Sequence, residues 1–166
     1  TLISGPTSLQ SPRGVNFIKI STNEEMKNEV LKRFKESDIV IKSAAVADYK
    51  PKNYSEQKIK KKDNDLEIVF TRDNDILMEL GKIKENQVLV GFAAESENLK
   101  ENALSKLKRK NLDYIVANDI SAKDTGFGVE ENKVIIISKD NKEINLEKMS
   151  KEKVARNLFD IILKKR

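Results

Sequence analysis

The sequence predicts an α/β domain with a mostly parallel, doubly wound sheet and helices on both faces. Three observations predict it. Apolar strand-like runs alternate with segments of helical periodicity. Several of those runs are apolar almost throughout, the pattern of strands covered on both sides. Breaker-rich or polar loops join them, with no internal repeat and no linker long enough to separate domains, so residues 1–166 read as one domain.

The elements follow in order. "TLIS" (1–4) and "VNFIKI" (15–20) read as strands separated by the loop "GPTSLQSPRG". "TNEEMKNEVLKRFKES" opens with a capping box, Thr22 with Glu25 three residues on. Its Met26, Val30 and Phe34 recur every four residues, which gives a helix one apolar face. "DIVIKSAAVA" (38–47) reads as a buried strand running into small residues, and "LEIVFT" (66–71) as a further strand. "DILMELGKI" (75–83) reads as a short helix and "QVLVGFAAE" (87–95) as a second buried strand. A helix from about Asn98 to Lys110 leads to the strand "LDYIVAND" (112–119). "KVIIIS" (133–138), a turn at "KDNKE" and a last helix from Ser150, with Val154, Leu158, Ile161 and Ile162 inward, complete the chain. The expectation is Rossmann-like, with ligands at the carboxyl ends of the strands.

Composition narrows the chemistry. Of 166 residues 36% are charged, and the net charge of +5 favours anionic partners such as nucleotides, phosphorylated metabolites or nucleic acid. The chain has no histidine and no cysteine. That excludes Ser-His-Asp and Cys-His nucleophiles, HExxH zinc sites, CxxC redox pairs and the usual zinc fingers. Chemistry must run on Lys, Asp, Glu, Asn, backbone amides or a bound metal, whose ligands the sequence leaves unknown. No signal pattern and no apolar run of membrane-spanning length occurs, so a cytoplasmic protein without a membrane partner is expected.

Three strand ends share one form, "AAVADY" (44–49), "GFAAE" (91–95) and "AND" (117–119). Small residues let a ligand approach the backbone, and the following acid or amide can fix its polar groups. After the first comes "DYKPKNYSEQKIKKKDND", with six lysines from Lys50 to Lys62 and few apolar anchors. Directly after a strand end, a cationic segment at about 50–65 reads as a mobile lid that closes over an anion.

"AAVADY", "KIKKK", "GFAAE", "KRKNLDYIVANDI" and "TGFGVEEN", in that order and at these intervals, resemble phosphopantothenoylcysteine synthetase, also called phosphopantothenate-cysteine ligase, over essentially the whole chain. In bacteria this is often the C-terminal half of a bifunctional coenzyme A biosynthesis protein. The resemblance implies a dimer and a flavin-dependent decarboxylase as fused domain or partner. It also implies a two-step ligation, in which CTP with Mg²⁺ activates the carboxylate of 4'-phosphopantothenate as an acyl-cytidylate with loss of pyrophosphate. The amino group of cysteine then forms the amide and releases CMP.

Carried over residue by residue, the resemblance implies that Ala44 and Ala45 cradle nucleotide and substrate and that Asp48 contacts the nucleotide. Lys58 is the lid lysine that holds the CTP phosphates, supported by Lys60, Lys61 and Lys62. Asp73, Asn74, Asp75 and Ile76 form a nucleotide-contacting turn at a helix start, Phe92 meets the nucleotide by its apolar face, and Lys106 and Lys110 form a basic pair four apart on one helix. Asn118 and Asp119 contact base or substrate. Members usually begin with a further strand, a glycine-rich turn and "DPVRxIxNxSSG", whereas this chain starts at "TLISGP". It therefore reads as N-terminally truncated, with the nucleotide half present and the acyl-intermediate site incomplete. Two other readings stand beside it. A nicotinamide-dependent reductase should show GxGxxG after its first strand, which "SGPTSLQSPRG" does not supply. A nucleic-acid module needs aromatics among its lysines, of which only Tyr49 and Tyr54 lie near, and 27 acidic residues dilute its field. The ligase reading expects no nucleic-acid partner.

Overall fold

The computed structural model describes residues 1–61, 65–120 and 129–164. Lys62, the "TGFG" of the last quoted motif and the Asp119 side chain lie outside the described residues. In chain order the elements are β1 (Leu2–Ser4), β2 (Phe17–Lys19), α1 (Asn23–Phe34), β3 (Ile39–Lys42), β4 (Tyr49–Pro51), β5 (Phe70–Arg72), α2 (Ile76–Ile83), β6 (Val88–Glu95), α3 (Leu99–Arg109), β7 (Tyr114–Asp119), β8 (Glu131–Ser138), β9 (Glu143–Ser150) and α4 (Lys151–Leu163). The chain divides into two compact units, Thr1–Lys32 with Ala45–Ile76, and Arg33–Ala44 with Leu77–Arg166.

In the first unit β1 and β2 form a short parallel pair and β4 and β5 an antiparallel hairpin. The predicted capping box starts α1. The Thr22 hydroxyl accepts the Glu25 amide at 3.1 Å, and the Glu25 carboxylate accepts the amides of Thr22 at 3.2 Å and Ser21 at 2.6 Å. Orphan donors at the helix start are thus satisfied from both directions. Met26 is buried and Val30 half-buried, as their spacing requires.

The second unit is an α/β sandwich around a five-stranded sheet, ordered β3-β6-β7-β8-β9. Its first three strands are parallel, and β8 and β9 extend it as an antiparallel hairpin. Side chains alternate between faces along each strand. On one face Val90, Tyr114, Val116, Val134, Ile136 and Leu146 pack with Val154, Leu158 and Ile162 of α4. On the other, α3 lies over β6 and β7 through buried Ala103 and Leu107. Helices therefore cover both faces, as expected.

Asp113 braces the start of β7. Its carboxylate, in a residue only 7% exposed, accepts the Leu89 amide at 2.9 Å, Lys84 Nζ at 2.9 Å and Lys139 Nζ at 3.0 Å. Burial pushes this carboxyl up, but the Leu89 amide and the two ammonium groups outweigh it and hold it below its ordinary value.

Three expectations change. The strand expected over 38–47 stops at Lys42, because its ladder with β6 ends at Lys42↔Gly91 and the small side chains of 43–45 are exposed and bury nothing. Of "LEIVFT" only Phe70 and Thr71 are in a strand, β5, which pairs with the unanticipated β4. Leu66, Ile68, Val69 and Phe70 remain exposed, so apolar alternation here reports no core. The turn at "KDNKE" leads not directly into the last helix but into β9. That strand lies at the sheet edge and buries only Leu146, so its charged sequence resembles a polar connection.

Candidate functional site

In the first unit, two quoted segments meet at the root of one hairpin. The Asp73 amide donates to the Asp48 carbonyl at 2.9 Å, one step beyond the rung Tyr49↔Arg72. The "KIKKK" segment lies in the connection between the two strands of this hairpin, and Lys58 is exposed there. The Asp73 carboxylate accepts the Asn74 amide at 2.8 Å and Lys50 Nζ at 3.0 Å. The Asn74 amide, with further help from Asn23 and Lys50, holds this carboxyl below its ordinary value, although burial pushes it up. Asn74 is itself gripped from α1. Its carbonyl accepts Asn23 Nδ2 at 3.0 Å and its side-chain oxygen accepts Lys27 Nζ at 3.3 Å. The buried Asn23 Oδ1 has no partner among the described residues.

The result is an acidic-amide turn at the root of a hairpin whose connection carries the exposed Lys58. Asp48 and Ala45 are exposed and Asp75 is half-buried. Ile76 is 1% exposed, so its side chain belongs to the core and only its backbone can face a ligand.

In the second unit the carboxyl ends of β3, β6 and β7 share one edge of the sheet. Because the β3–β6 ladder ends at Lys42↔Gly91, Phe92–Glu95 run on paired to β7 alone, as far as Glu95↔Asp119. Ala44 follows β3, exposed, and its carbonyl accepts Lys42 Nζ at 3.0 Å. Strand alternation divides the other predicted residues between the two faces. Phe92 packs against the apolar cluster beneath α4, and its ladder partner Val116 belongs to that cluster. Asn118, 8% exposed, lies two residues further along β7 on the same face.

Glu95 points to the opposite face, toward α3. Its carboxylate accepts Lys106 Nζ at 2.5 Å through one oxygen and Asn102 Nδ2 at 3.2 Å through the other. Lys106 and Lys110 sit in different settings on α3. Lys106 is paired with Glu95, and Lys110 is the C-cap residue that ends α3.

Sequence reasoning did not single out Asn23, Lys27 or Asn102, and it named Lys50 only as the start of the lysine segment and Glu95 only as the acid that ends "GFAAE". Glu95 was signalled by its place at the end of "GFAAE" and Asn102 by lying four residues before Lys106. Asn23 is 51 residues from Asn74, and nothing local announces that contact.

Among the described residues no group of three or more acidic, histidine or cysteine side chains could hold a metal ion, and no helix is long and apolar enough to cross a membrane. A family model described as the DNA/pantothenate metabolism flavoprotein C-terminal domain matches residues 1–165. The chain is similar to the coenzyme A biosynthesis bifunctional protein CoaBC of Bacillus subtilis (strain 168), 47% identical over 162 residues, which are 97% of this chain and 39% of that protein. It is similar also to a cysteine/cysteine sulfinic acid decarboxylase from an unknown prokaryotic organism, 43% identical over 98% of this chain and 46% of that one. Of solved structures, the C-terminal domain of a coenzyme A biosynthesis bifunctional protein CoaBC superposes with a TM-score of 0.79 at 37% identity, covering 96% of this chain and 70% of that one. The chain thus spans less than half the length of these curated relatives.

Proposed function

The chain belongs to the DNA/pantothenate metabolism flavoprotein C-terminal domain family, and from that membership we propose that it is the ligase of coenzyme A biosynthesis that joins 4'-phosphopantothenate to cysteine at the expense of CTP. The observation that carries the reading is the bond from the Asp73 amide to the Asp48 carbonyl. It brings the two segments that this reading assigns to the nucleotide together at the root of one hairpin, whose connection carries Lys58. A base or ribose held at that root, with the triphosphate under a lysine-bearing connection, is the arrangement nucleotidyl transfer needs.

In the proposed reaction the substrate carboxylate attacks the α-phosphorus of CTP and pyrophosphate leaves. The amine of cysteine then attacks the activated carbonyl, and CMP leaves with the electrons of the broken C–O bond. Each step needs positioning and neutralisation of phosphate charge more than a protein nucleophile, which suits a chain without histidine or cysteine. Lys58 and its neighbours supply the neutralising charge and exclude water from the acyl-cytidylate. Magnesium, in this reading, travels on the triphosphate and its waters. A homodimer and a flavin-dependent decarboxylase domain or partner belong to the same proposal, as does action in the cytoplasm.

The relatives' names cover a bifunctional protein and a decarboxylase, so the test must separate the two steps. Pyrophosphate release that requires CTP and 4'-phosphopantothenate, with CMP release and sustained turnover only once cysteine is added, and without carbon dioxide release, supports the ligase. Calorimetric titration with CTP, ATP and UTP, each with Mg²⁺, tests the nucleotide. Absence of CTP binding by the folded full-length protein would sink the reading.

A further inference from the structure

The Glu95–Lys106 pair sets a carboxylate against one of the cations assigned to nucleotide binding, which at first sight works against binding an anion. Its surroundings suggest a purpose. The Glu95 side chain is 13% exposed and that of Lys106 is 37% exposed, so the lysine can leave toward solvent while the carboxylate cannot follow. Asn102 donates to the second carboxylate oxygen at 3.2 Å and to the Glu97 carbonyl at 3.0 Å. This amide is anchored independently of Lys106 and lies one turn before it on α3. When the lysine departs, Glu95 therefore keeps a hydrogen-bond donor, and the cost of leaving its charge partly buried is reduced. Glu95 also ends β6 at the edge where Phe92–Glu95 have outrun β3, the end of a parallel sheet at which ligands collect.

Building on the nucleotide-binding reading, we infer that Glu95 is a positioning residue that holds Lys106 as an internal substitute for the ligand's phosphate. It surrenders the ammonium when the anion arrives and recaptures it when the anion leaves. The pair keeps Lys106 ordered at the strand end while the protein is empty. It makes anion binding weaker than a free lysine would, because the anion must displace a carboxylate. Recapture speeds release of pyrophosphate, the product whose retention would block the second half of the reaction.

The test is titration of the full-length protein with Mg²⁺-pyrophosphate and Mg²⁺-CTP, using Glu95→Gln, Lys106→Gln and the double variant, with thermal midpoints as a folding control. Glu95→Gln removes the competing charge and keeps the shape, so affinity for both anions should rise about three- to fivefold. Dissociation should slow by a similar factor, and the gain should vanish when Lys106 is already Gln. A purely structural Glu95 would give weaker binding or none, never a gain that depends on Lys106. Asn102→Ala provides a second check, since removing the donor that supports the vacated carboxylate should weaken anion binding with Lys106 still present. Unchanged or weaker binding in Glu95→Gln, or a gain that persists without Lys106, overturns the inference. Failure of CTP to bind any form overturns the nucleotide reading and this inference with it, whereas normal CTP binding insensitive to Glu95 defeats the inference alone.

Discussion

Gly81 in α2 lies so close to the turn after α3 that a β-carbon on it would stand 2.0 Å from the carbonyl oxygen of Lys110. The same turn is held by Asn111, in the left-handed region at φ 51°, whose Nδ2 donates to the Gly81 carbonyl at 2.8 Å. Backbone meets backbone here, so no side-chain rotation relieves a clash. Gly81→Ala should cost about 3 kcal/mol, at the upper end of overpacking changes, as a lowered urea midpoint with unchanged slope. Gly91 makes the useful contrast. Its added β-carbon would meet the side-chain tips Leu77 Cδ1 at 2.8 Å and Leu112 Cδ1 at 2.9 Å, which can turn aside. Gly91→Ala should therefore cost less, about 1 kcal/mol.

Asp113 predicts how the second unit responds to acid. Its folded-state carboxyl is held below the value it has in an unfolded chain. The stability it contributes is complete above the unfolded value and is lost as pH falls through the folded one, on the acid side of about pH 4. Asp113→Asn leaves the Lys84 ammonium, 10% exposed, without its counter-charge, and should cost about 3 kcal/mol at pH 7. Denaturant midpoints for the two proteins should converge as pH drops below 4. A gap that stays constant down to pH 2 would show that the charge of Asp113 is not what stabilises it.

The start of α1 offers a test confined to local structure. Thr22→Ala removes the hydroxyl that accepts the Glu25 amide, and Glu25→Ala removes the carboxylate that accepts two amides in return. Each should cost about 1 kcal/mol. Because the three bonds belong to one box, the double variant should cost less than the sum, measured by thermal or urea unfolding.

Lys58 and Lys50 should separate ligand binding from structure. Lys58 is exposed, so Lys58→Ala should leave the thermal midpoint within about 2 °C. The proposed phosphate contact predicts about tenfold weaker CTP binding, one charge-assisted hydrogen bond's worth. Lys50 instead holds Asp73 at 3.0 Å with its own side chain 46% exposed. Lys50→Ala should lower stability by less than about 1 kcal/mol. It should also weaken CTP binding through the loosened turn, visible as a larger entropic cost of binding, whereas Lys58→Ala loses binding enthalpy.

Elements that bury one regular face are legible in the sequence. α1 announced itself by its capping box and by Met26, Val30 and Phe34. α4 did so by Val154, Leu158 and Ile162, and β6, β7 and β8 by apolar runs that only a covered strand can carry. Local chemistry and periodicity suffice where the partner surface is simply the core. β9 and β4 were not legible, because an edge strand and an exposed hairpin bury too little to mark the sequence. The candidate site divides the same way. The sequence by itself determined the residue types available to it, the absence of histidine and cysteine, the lysine loop and the small-residue strand ends. Tertiary structure alone decided that Asn23 grips Asn74 from 51 residues away, that Phe92 lies on the face covered by α4 and Glu95 on the face covered by α3, and that Lys106 is already bound to a carboxylate. Those outcomes depend on strand register and on which helix lies over which face, and these are settled by how the whole chain packs and not by any one stretch of it.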